Sequence, residues 1–200
     1  MKVATSYTVA RIADALSQGK TVVFPTETSY GLGCDATNQA AVDKIFKIKG
    51  RDFNKPLLVV VPSIEIATKY LVWNDALEGL AQKYWPGPLT VVGECHGGGL
   101  AFGVISPSNT LALRVTAHPF LQSITEKIQR PLVATSANIA GAGECYSAAE
   151  ATRVFANQEF QPDIILNYGP LPKQAPTTIV SVMGGALTVL RQGSVHVKEV

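Results

Sequence analysis

Short aliphatic runs of strand length alternate with helically spaced apolar segments along the chain, and this alternation restricts the fold more than any other feature. Residues 9–16 and 41–49 place their apolar side chains on one helical face. Residues 21–24 and 57–61 are β-branched or aliphatic runs, and each is stopped by a proline. Because helices and strands mix without a repeat, we predict a single α/β or α+β domain over residues 1–200, built on a mixed sheet with flanking helices.

The rest of the chain continues the same pattern. Ser63 and Asn74 are typical N-caps and each predicts a following helix, whereas Gly19 and Gly50 predict helix ends. Further helices are predicted at 119–129 and 148–155. Further strands are predicted at 89–92, 111–115, 132–134 and 164–166, with a hairpin formed by 178–182 and 187–190. The Gly- and Pro-rich segments 93–109 and 168–176 are predicted surface loops.

Charge is scarce in this sequence, and the two signs nearly balance. Charged residues make up 16% of the 200 residues, with 17 Lys and Arg against 15 Asp and Glu, for a formal net charge of +2. This balance excludes a disordered chain and a polybasic nucleic-acid tail. A protein of this composition that handles an anion must concentrate its positive charge locally.

The cysteines and the N-terminus bear on the environment of the protein. Cys34, Cys95 and Cys145 are too few for a disulfide framework and lack metal-ligand spacing, so we predict buried or half-buried thiols. Residues 1–10 lack the continuous apolar stretch of a signal peptide, and no apolar run approaches the roughly 20 residues of a membrane span. We therefore expect a cytoplasmic protein without membrane association.

Polar clusters follow several predicted strands, at the sheet edge where side chains of α/β proteins converge on ligands. Residues 25–33 combine hydroxyls, one carboxylate and two glycines, and form either a small-ligand loop or an ordinary turn. Residues 47–55 contain four basic side chains, which form an anion site or a solvated face at a helix end. Ser136 and Asn138 follow the 132–134 strand and suit phosphate binding or helix capping.

Arg114 interrupts the apolar strand 111–115, and a buried arginine needs a partner. That partner is either a protein carboxylate or a ligand carboxylate held by the guanidinium fork. The chain has no Walker loop, dinucleotide fingerprint or nucleophile elbow, and His96, His118 and His196 lie near no evident nucleophile. Basic, hydroxyl and amide groups without a clear acid–base pair suit attack at phosphorus, where positioning and charge stabilisation dominate.

Taken together, these segments resemble the YrdC/TsaC family of threonylcarbamoyl-AMP synthases, in its single-domain bacterial type, from about Tyr7 to Gly193. The ordered segments that carry the resemblance are 24–28, 30–34, 49–51, 55–57, 85–90, 113–115, 118–119, 135–138, 177–180 and 190–191. The family fold is a twisted mixed sheet with a concave, positively charged face. The resemblance therefore implies a positively charged crevice in this chain.

The resemblance also implies which residues form the site. The family's Lys-x-Arg and Ser-x-Asn motifs match Lys49, Arg51, Ser136 and Asn138, which are the expected catalytic residues. The implied ATP-binding residues are Lys49, Arg51, Lys55, Thr110, Ser136, Asn138 and Arg191. The implied threonine-binding residues are Thr26, Thr28, Arg114 and Thr177, with Arg114 on the substrate carboxylate. Mg²⁺ is expected with the triphosphate, no metal ligand is assigned, and Glu27 is a candidate only.

The implied reaction consumes L-threonine, bicarbonate or CO₂, and ATP, and yields threonylcarbamoyl-AMP and pyrophosphate. The carbamate of threonine attacks the α-phosphorus, and the basic residues screen the repulsion between the two anions. The product supplies the N6-threonylcarbamoyladenosine modification of tRNA, which downstream threonylcarbamoyl-transferase proteins complete. Weak direct binding of tRNA stays open.

Two positions depart from the family pattern, and three alternative functions remain. Asp52 and Gln192 stand where the family often has proline, but neither belongs to the tetrad, so we expect activity to persist. A non-catalytic RNA- or tRNA-binding module is disfavoured by the low net charge. A paralogue that is inactive or uses another carbamoyl-type substrate is disfavoured by the intact tetrad. A purely structural domain leaves Arg114 and the basic segment unexplained.

Overall fold

The computed structural model describes residues 1–4 and 8–198; Tyr7, where the resemblance begins, lies outside them. The helices are α1 Val9–Ser17, α2 Gln39–Lys49, α3 Ile64–Ala67, α4 Asp75–Tyr84, α5 Pro119–Ile128 and α6 Ala148–Phe155. The strands are β1 Lys2–Ala4, β2 Val22–Pro25, β3 Tyr30–Gly33, β4 Val59–Val61, β5 Leu89–Glu94, β6 Thr110–Val115, β7 Leu132–Val133, β8 Thr135–Ser136, β9 Ile164–Leu166, β10 Thr178–Ser181 and β11 Thr188–Arg191.

The strands form two mixed sheets, which confirms the predicted α/β class. One sheet has five strands in the order β1-β9-β2-β3-β8, and the other has six in the order β11-β10-β5-β6-β4-β7. Each contains parallel and antiparallel pairs: β2 runs parallel to β9 and antiparallel to β3, and β6 runs parallel to β4 and antiparallel to β5. The predicted hairpin is present as β10 and β11, joined by a single 3₁₀ turn, Met183–Gly185.

The aliphatic strands are buried on both faces, which explains why their sequences do not alternate with polar residues. Val59 and Val61 pack in the larger core, which contains side chains from both sheets, whereas Val60 packs in a second core. The second core holds the apolar faces of α1 and α5, including Leu16 and Leu121. Helices α1 and α5 therefore cover the face of β4 that carries Val60, which would otherwise expose apolar side chains.

The helices begin and end at the capping residues that the sequence predicts. Ser63 and Asn74 cap α3 and α4, since their side chains accept from the backbone N–H three residues later, as predicted. Gly50 adopts the left-handed conformation at φ 56° directly after α2, as expected for a helix-terminating glycine. This turn redirects the chain immediately before Arg51.

The largest local difference from the sequence prediction lies at residues 30–33. This glycine-containing part of the 25–33 cluster is strand β3, paired antiparallel with β2, and not a loop. A Cβ on Gly33 would lie 1.9 Å from the Val133 carbonyl oxygen, so this glycine permits contact between backbone segments and not the approach of a ligand. Only residues 26–29 remain as a turn between the two strands.

The structure also bears on the predicted state of the cysteines and on the length of the helices. Cys34, Cys95 and Cys145 are free and buried, as predicted. None of the helices within residues 1–4 and 8–198 has the length and apolarity that crossing a membrane requires.

Candidate active site

A cavity of about 370 Å³ lies between the two sheets, and most predicted site residues line it. Those in the lining are Thr26, Thr28, Arg51, Thr110, Arg114, Ser136, Thr177 and Arg191. Lys49, Lys55 and Asn138 are not part of the lining. Residues separated by more than a hundred positions in the chain therefore meet at one place, because β3 and β8 face β5, β6, β10 and β11 across the cavity.

Strand β6 explains how an arginine can occupy an apolar strand. Its residues Thr110, Ala112 and Arg114 line the cavity, whereas the alternate residues Leu111 and Leu113 pack in the larger core. This is the two-residue period of a strand with one face toward a ligand space and one toward the core. The alternation is visible in the sequence and could have identified this face of the strand.

Several residues that line the cavity were not predicted from the sequence. Thr90 and Ser106 both line the cavity, and each supports a predicted residue. The Thr90 hydroxyl lies 3.2 Å from that of Thr177, and the Ser106 hydroxyl lies 2.7 Å from that of Thr110. Glu144 is the carboxylate in the lining, and no sequence signal marked it.

Arg51 is held at the cavity by backbone carbonyl groups. Its Nε donates to the Lys55 carbonyl at 2.7 Å, and its Nη2 donates to the Pro56 carbonyl at 3.1 Å. Burial lowers the pKa of Arg51, and the nearby Asp52 charge partly opposes that effect. Lys55 itself is exposed and contributes its backbone, so the structure places only its carbonyl group in this arrangement.

Lys49 lies behind the cavity wall and ties down the turn that carries Ser136 and Asn138. Its Nζ donates to the Ser136 carbonyl at 2.6 Å, the Asn138 carbonyl at 2.8 Å and Asn138 Oδ1 at 3.0 Å. The side chain is 1% exposed. Burial, and then repulsion from Arg51, lower the pKa of Lys49 to about 8. All three donors of the ammonium group are therefore used within the protein.

Ser136 and Asn138 are hydrogen-bonded to each other. The Ser136 hydroxyl donates to Asn138 Oδ1 at 2.7 Å, and Asn138 Nδ2 donates to the Ala142 carbonyl. The prediction from the sequence is that both side chains donate to phosphate oxygens. In the structure the hydroxyl proton is already donated to the neighbouring amide, so the Ser136 hydroxyl must change partner before it can donate to a ligand.

Arg191 is also held by oxygen atoms of uncharged groups. Its Nη2 donates to the Thr177 carbonyl at 2.8 Å and to the Thr177 hydroxyl at 3.1 Å. Partial burial lowers the pKa of Arg191, and Glu144 opposes this shift. Because β10 follows Thr177 and pairs with β11, the hairpin brings the two residues together.

Arg114 has a protein carboxylate as a partner in the structure, which is one of the two kinds of partner that the sequence left open. Its Nη1 donates to Glu27 Oε2 at 2.7 Å, and the side chains are 3% and 14% exposed. Burial alone would raise the pKa of Glu27, but the Arg114 charge and hydrogen bonds from Thr116 and Ala117 hold it below its usual value. Within the described residues, the buried Nε of Arg114 has no partner.

The turn between β2 and β3 presents two threonines beside this ion pair. The Thr26 hydroxyl donates to the Ser29 carbonyl at 2.7 Å and lies 3.3 Å from the Thr28 hydroxyl. The Ser29 amide donates back to Thr26 Oγ1 at 3.3 Å. Hydrogen bonds within the turn thus fix both threonine side chains on the five-stranded sheet, opposite Arg114 on the six-stranded sheet.

The described residues contain no cluster of three or more His, Cys, Asp or Glu side chains that could hold a metal ion. Both oxygens of Glu27, the candidate magnesium contact, already accept hydrogen bonds from the protein. Glu144 remains the carboxylate beside the cavity.

Comparison with known proteins gives a consistent result. A family model named Sua5_yciO_yrdC, described as "Telomere recombination", matches residues 14–193. A threonylcarbamoyl-AMP synthase of Pyrococcus abyssi is 32% identical over 198 residues, covering 94% of this chain and 54% of the relative. One of Pseudoalteromonas atlantica is 35% identical over 145 residues, covering 70% of this chain and 76% of the relative.

Solved structures also match. The crystal structure of P. abyssi Sua5 complexed with L-threonine superposes with a TM-score of 0.85 at 29% identity, over 96% of this chain and 57% of that chain. The chain thus spans about half the length of the P. abyssi protein and about three-quarters of the P. atlantica protein. Since the family model covers most of the sequence and the fold agrees, the chain belongs to the Sua5/YciO/YrdC family.

Proposed function

We propose that this protein is a threonylcarbamoyl-AMP synthase that joins L-threonine, bicarbonate or CO₂, and ATP in the cavity between the two sheets. The observation that carries the proposal is the distribution of charge around that cavity. Arg51 and Arg191 line it and form no ion pair with any of the described residues, and Arg114 lines it as half of a buried ion pair. Its volume of about 370 Å³ falls within the range of roughly 300–1,000 Å³ typical of small-molecule sites.

The phosphates of ATP would lie beside the arginines that have no carboxylate partner. A guanidinium group that donates to carbonyl oxygens keeps its full charge, so it can still attract and orient an anion. Arg51 and Arg191 meet this condition. We assign them, with Lys55 and Thr110, to the ATP site, and Mg²⁺ would enter with ATP as part of the substrate.

The threonine substrate would lie at the part of the cavity around Arg114, Thr26 and Thr28, called here the threonine end, which adjoins the ATP end where Thr177 accepts from Arg191. Arg114 is assigned to its carboxylate, and Thr26, Thr28 and Thr177 to its amine and hydroxyl. The relative whose structure contains L-threonine supports this assignment, since it shares the fold over 96% of this chain. The cavity would thus hold the two substrates side by side between the sheets.

The reaction balances as a substitution at phosphorus. Threonine and CO₂ form a carbamate with loss of a proton, and a carbamate oxygen then bonds to the α-phosphorus. The bond between that phosphorus and the α–β bridging oxygen breaks, and pyrophosphate leaves. Charge stabilisation by the arginines and by Lys49 would lower the barrier, which is the main contribution of proteins to phosphoryl-type transfer.

Lys49, Ser136 and Asn138 would act as one unit. Lys49 donates three hydrogen bonds to the backbone and side chain of the turn, so it would set the turn's position and add positive charge behind it. Ser136 lines the cavity and would contact the phosphates after exchanging its bond with Asn138. This role for Lys49 differs from direct phosphate contact, because all three of its donors are occupied.

The same proposal extends to the whole chain. Residues 1–200 would act as one domain, which the core shared by both sheets supports. The product would pass to threonylcarbamoyl-transferase proteins for tRNA modification in the cytoplasm.

The experiment is pyrophosphate release from ATP by the purified protein, with product identified by mass. We expect release that requires both L-threonine and bicarbonate, with threonylcarbamoyl-AMP as the product. Release without threonine, or no adenylate of the expected mass, would contradict the proposal. Retention of RNA that disappears at moderate salt, without pyrophosphate release, would instead favour a non-catalytic RNA-binding module.

A further inference from the structure

Glu27 lies between Thr26 and Thr28 in the chain, yet its side chain reaches across to the other sheet. We propose that Glu27 is a positioning residue that orients Arg114 toward the substrate carboxylate and sets the separation between the two threonines and that arginine. The inference rests on the proposed function and deepens it. It assigns a role to a residue that the sequence analysis held only as a candidate magnesium contact.

The carboxylate of Glu27 is fixed by groups from one short segment of the six-stranded sheet. Its Oε2 accepts from Arg114 Nη1 at 2.7 Å. Its Oε1 accepts from the Thr116 hydroxyl at 2.6 Å, the Ala117 amide at 2.7 Å and the His118 amide at 3.2 Å. Four donors leave this carboxylate no freedom to rotate toward a ligand. It therefore acts on the substrate only through Arg114.

These bonds connect the two walls of the threonine end. Glu27 belongs to the turn after β2, in the five-stranded sheet, whereas Arg114 belongs to β6, in the six-stranded sheet. Thr26 and Thr28 are held within the same turn by their own hydrogen bonds. Any change in the Glu27–Arg114 distance would therefore move the threonine hydroxyls relative to the guanidinium group.

The pairing also determines which edge of the guanidinium faces a ligand. Glu27 occupies Nη1, which leaves the edge formed by Nε and Nη2. The Nε atom on that edge is buried and has no partner among the described residues. Two parallel N–H donors on one edge are the geometry that binds a carboxylate in a bidentate manner. Because this Nε has almost no accessible surface, the substrate carboxylate would satisfy it only after the Arg114 side chain shifts toward the cavity.

The ion pair between Glu27 and Arg114 also lowers the net charge beside the substrate. A bare arginine at this end would attract any anion, including a second phosphate group. Paired with Glu27, which keeps a lowered pKa and is ionised at neutral pH, Arg114 contributes no net charge. A net-neutral site that still offers directed N–H donors favours a zwitterionic amino acid over a polyphosphate.

The test is Glu27→Gln. Its amide oxygen can still accept from Thr116 and Ala117, but its amide nitrogen then faces Arg114 Nη1, donor against donor. The matched control is Asp35→Asn, because Asp35 is a buried carboxylate that pairs with Arg130 and accepts from Thr37, yet lies outside the cavity lining. Both variants remove one carboxylate from an ion pair that connects distant parts of the chain, and the Arg130 side chain of the control pair is 40% exposed.

We expect Glu27→Gln to raise the KM for threonine by about 10–100-fold, the scale expected when a binding group is displaced by about 1 Å. The KM for ATP should change by less than about 3-fold, since the arginines at that end keep their own hydrogen bonds. Asp35→Asn should change neither KM. Equal rises in both KM values, or the same rise in threonine KM for Asp35→Asn, would overturn the proposal.

A second measurement decides the inference even if the protein makes no pyrophosphate. The ¹⁵N NMR signal of Arg114 Nε–H, assigned by its absence in Arg114→Lys, reports the order of the guanidinium. It should shift or broaden in Glu27→Gln and stay unchanged in Asp35→Asn. An unchanged Arg114 signal in Glu27→Gln would overturn the positioning role, whereas absent turnover in the wild-type protein would overturn only the proposed function.

Discussion

The two ends of the cavity hold their arginines in different ways. At one end Arg51 and Arg191 donate to carbonyl oxygens, and neither forms an ion pair among the described residues. At the other end Arg114 donates to Glu27, and the pair is almost fully buried. Under the proposed function this difference would separate a polyphosphate from an amino acid, because the first needs uncompensated positive charge and the second needs directed donors with little net charge.

Burial has opposite consequences at the two ends. Partial desolvation without a counter-ion lowers the pKa of Arg51, which is half-buried, and of Arg191, which is more exposed. A buried arginine with a counter-ion avoids much of the desolvation cost, but it attracts a further anion less strongly. Under the proposed function, the phosphates of ATP would offset the desolvation of these two arginines.

The strongest test of this comparison removes one uncompensated charge. Arg51→Ala should lower the rate of pyrophosphate release by about 10²–10³-fold, the loss typical of removing a donor that stabilises developing charge. Lys47→Ala removes one positive charge from the same segment at an exposed position and should leave the rate nearly unchanged. Equal losses in the two variants would mean that the segment acts through its overall charge, not through Arg51.

Removal of the paired arginine should have a different signature. Arg114→Ala should weaken threonine binding by about 2–5 kcal/mol, or roughly 30-fold or more, because a desolvated charge contact is lost. ATP binding should change little. Calorimetric titration of each substrate measures the two effects separately. Arg130→Ala, which breaks the ion pair with Asp35, is the control for general loss of stability, and it should not affect threonine binding.

The lowered pKa of Lys49 predicts that the rate of pyrophosphate release depends on pH, whereas threonine binding does not. Its pKa of about 8 means that the ammonium loses its proton as pH rises through that value. A neutral amine has two donors, so one bond to the 136–138 turn would be lost together with the charge. The rate of pyrophosphate release should fall by about 10-fold per unit of pH well above 8, if the charged form is required. Threonine binding should not follow this profile.

The control for this prediction is Lys49→Gln, whose residual rate should lack the same alkaline limb. The free energy of unfolding should depend on pH in the opposite sense to the rate, rising where the rate falls. Because the unfolded chain holds the Lys49 proton more tightly than the folded protein, the contribution of Lys49 to the free energy of unfolding should rise between about pH 8 and its ordinary pKa of about 10.4. A rate that stays constant across this range would exclude a role for the charged form.

The smallest expected effect concerns stability at the paired end. Glu27→Gln should lower the free energy of unfolding by about 1–3 kcal/mol at neutral pH, because it leaves a buried donor without its acceptor. The folded-state pKa of Glu27 is lowered, so its stabilisation is complete above its ordinary pKa of about 4.3 and is lost as pH falls through the folded value. Denaturant unfolding at neutral and acidic pH should therefore show the difference shrinking in acid. A difference independent of pH would contradict the ion-pair interpretation.

Local patterns in the sequence predicted most of the fold. Helix α6 and strand β9 begin and end at the predicted residues, and α2 ends at the predicted glycine. These elements are specified by capping residues and apolar periodicity, which act over a few positions. The predicted hairpin at the C-terminus is also present.

Three strands were not predicted, β1, β3 and β8, and the last two share a physical cause. Strand β8 is only Thr135–Ser136, and β3 contains two glycines, so neither has the β-branched composition that marks a strand. Strand β8 exists because it pairs with a distant part of the chain, Ser136 with Gly31, whereas β3 also pairs with its neighbour β2 in a hairpin, Gly33 with Val22. Long-range pairing of this kind leaves little signal in a local window.

The sequence predicts the α/β class, the family resemblance and eight of the side chains that line the cavity, because these depend on local periodicity and on the order of short motifs. Tertiary structure alone decided which charges are compensated. Arg114 and Glu27 are 87 residues apart, as are Lys49 and Ser136, and only the packing of the two sheets brings each pair into contact. A charge's effect depends on the atoms within a few ångströms of it, and chain order does not specify those atoms.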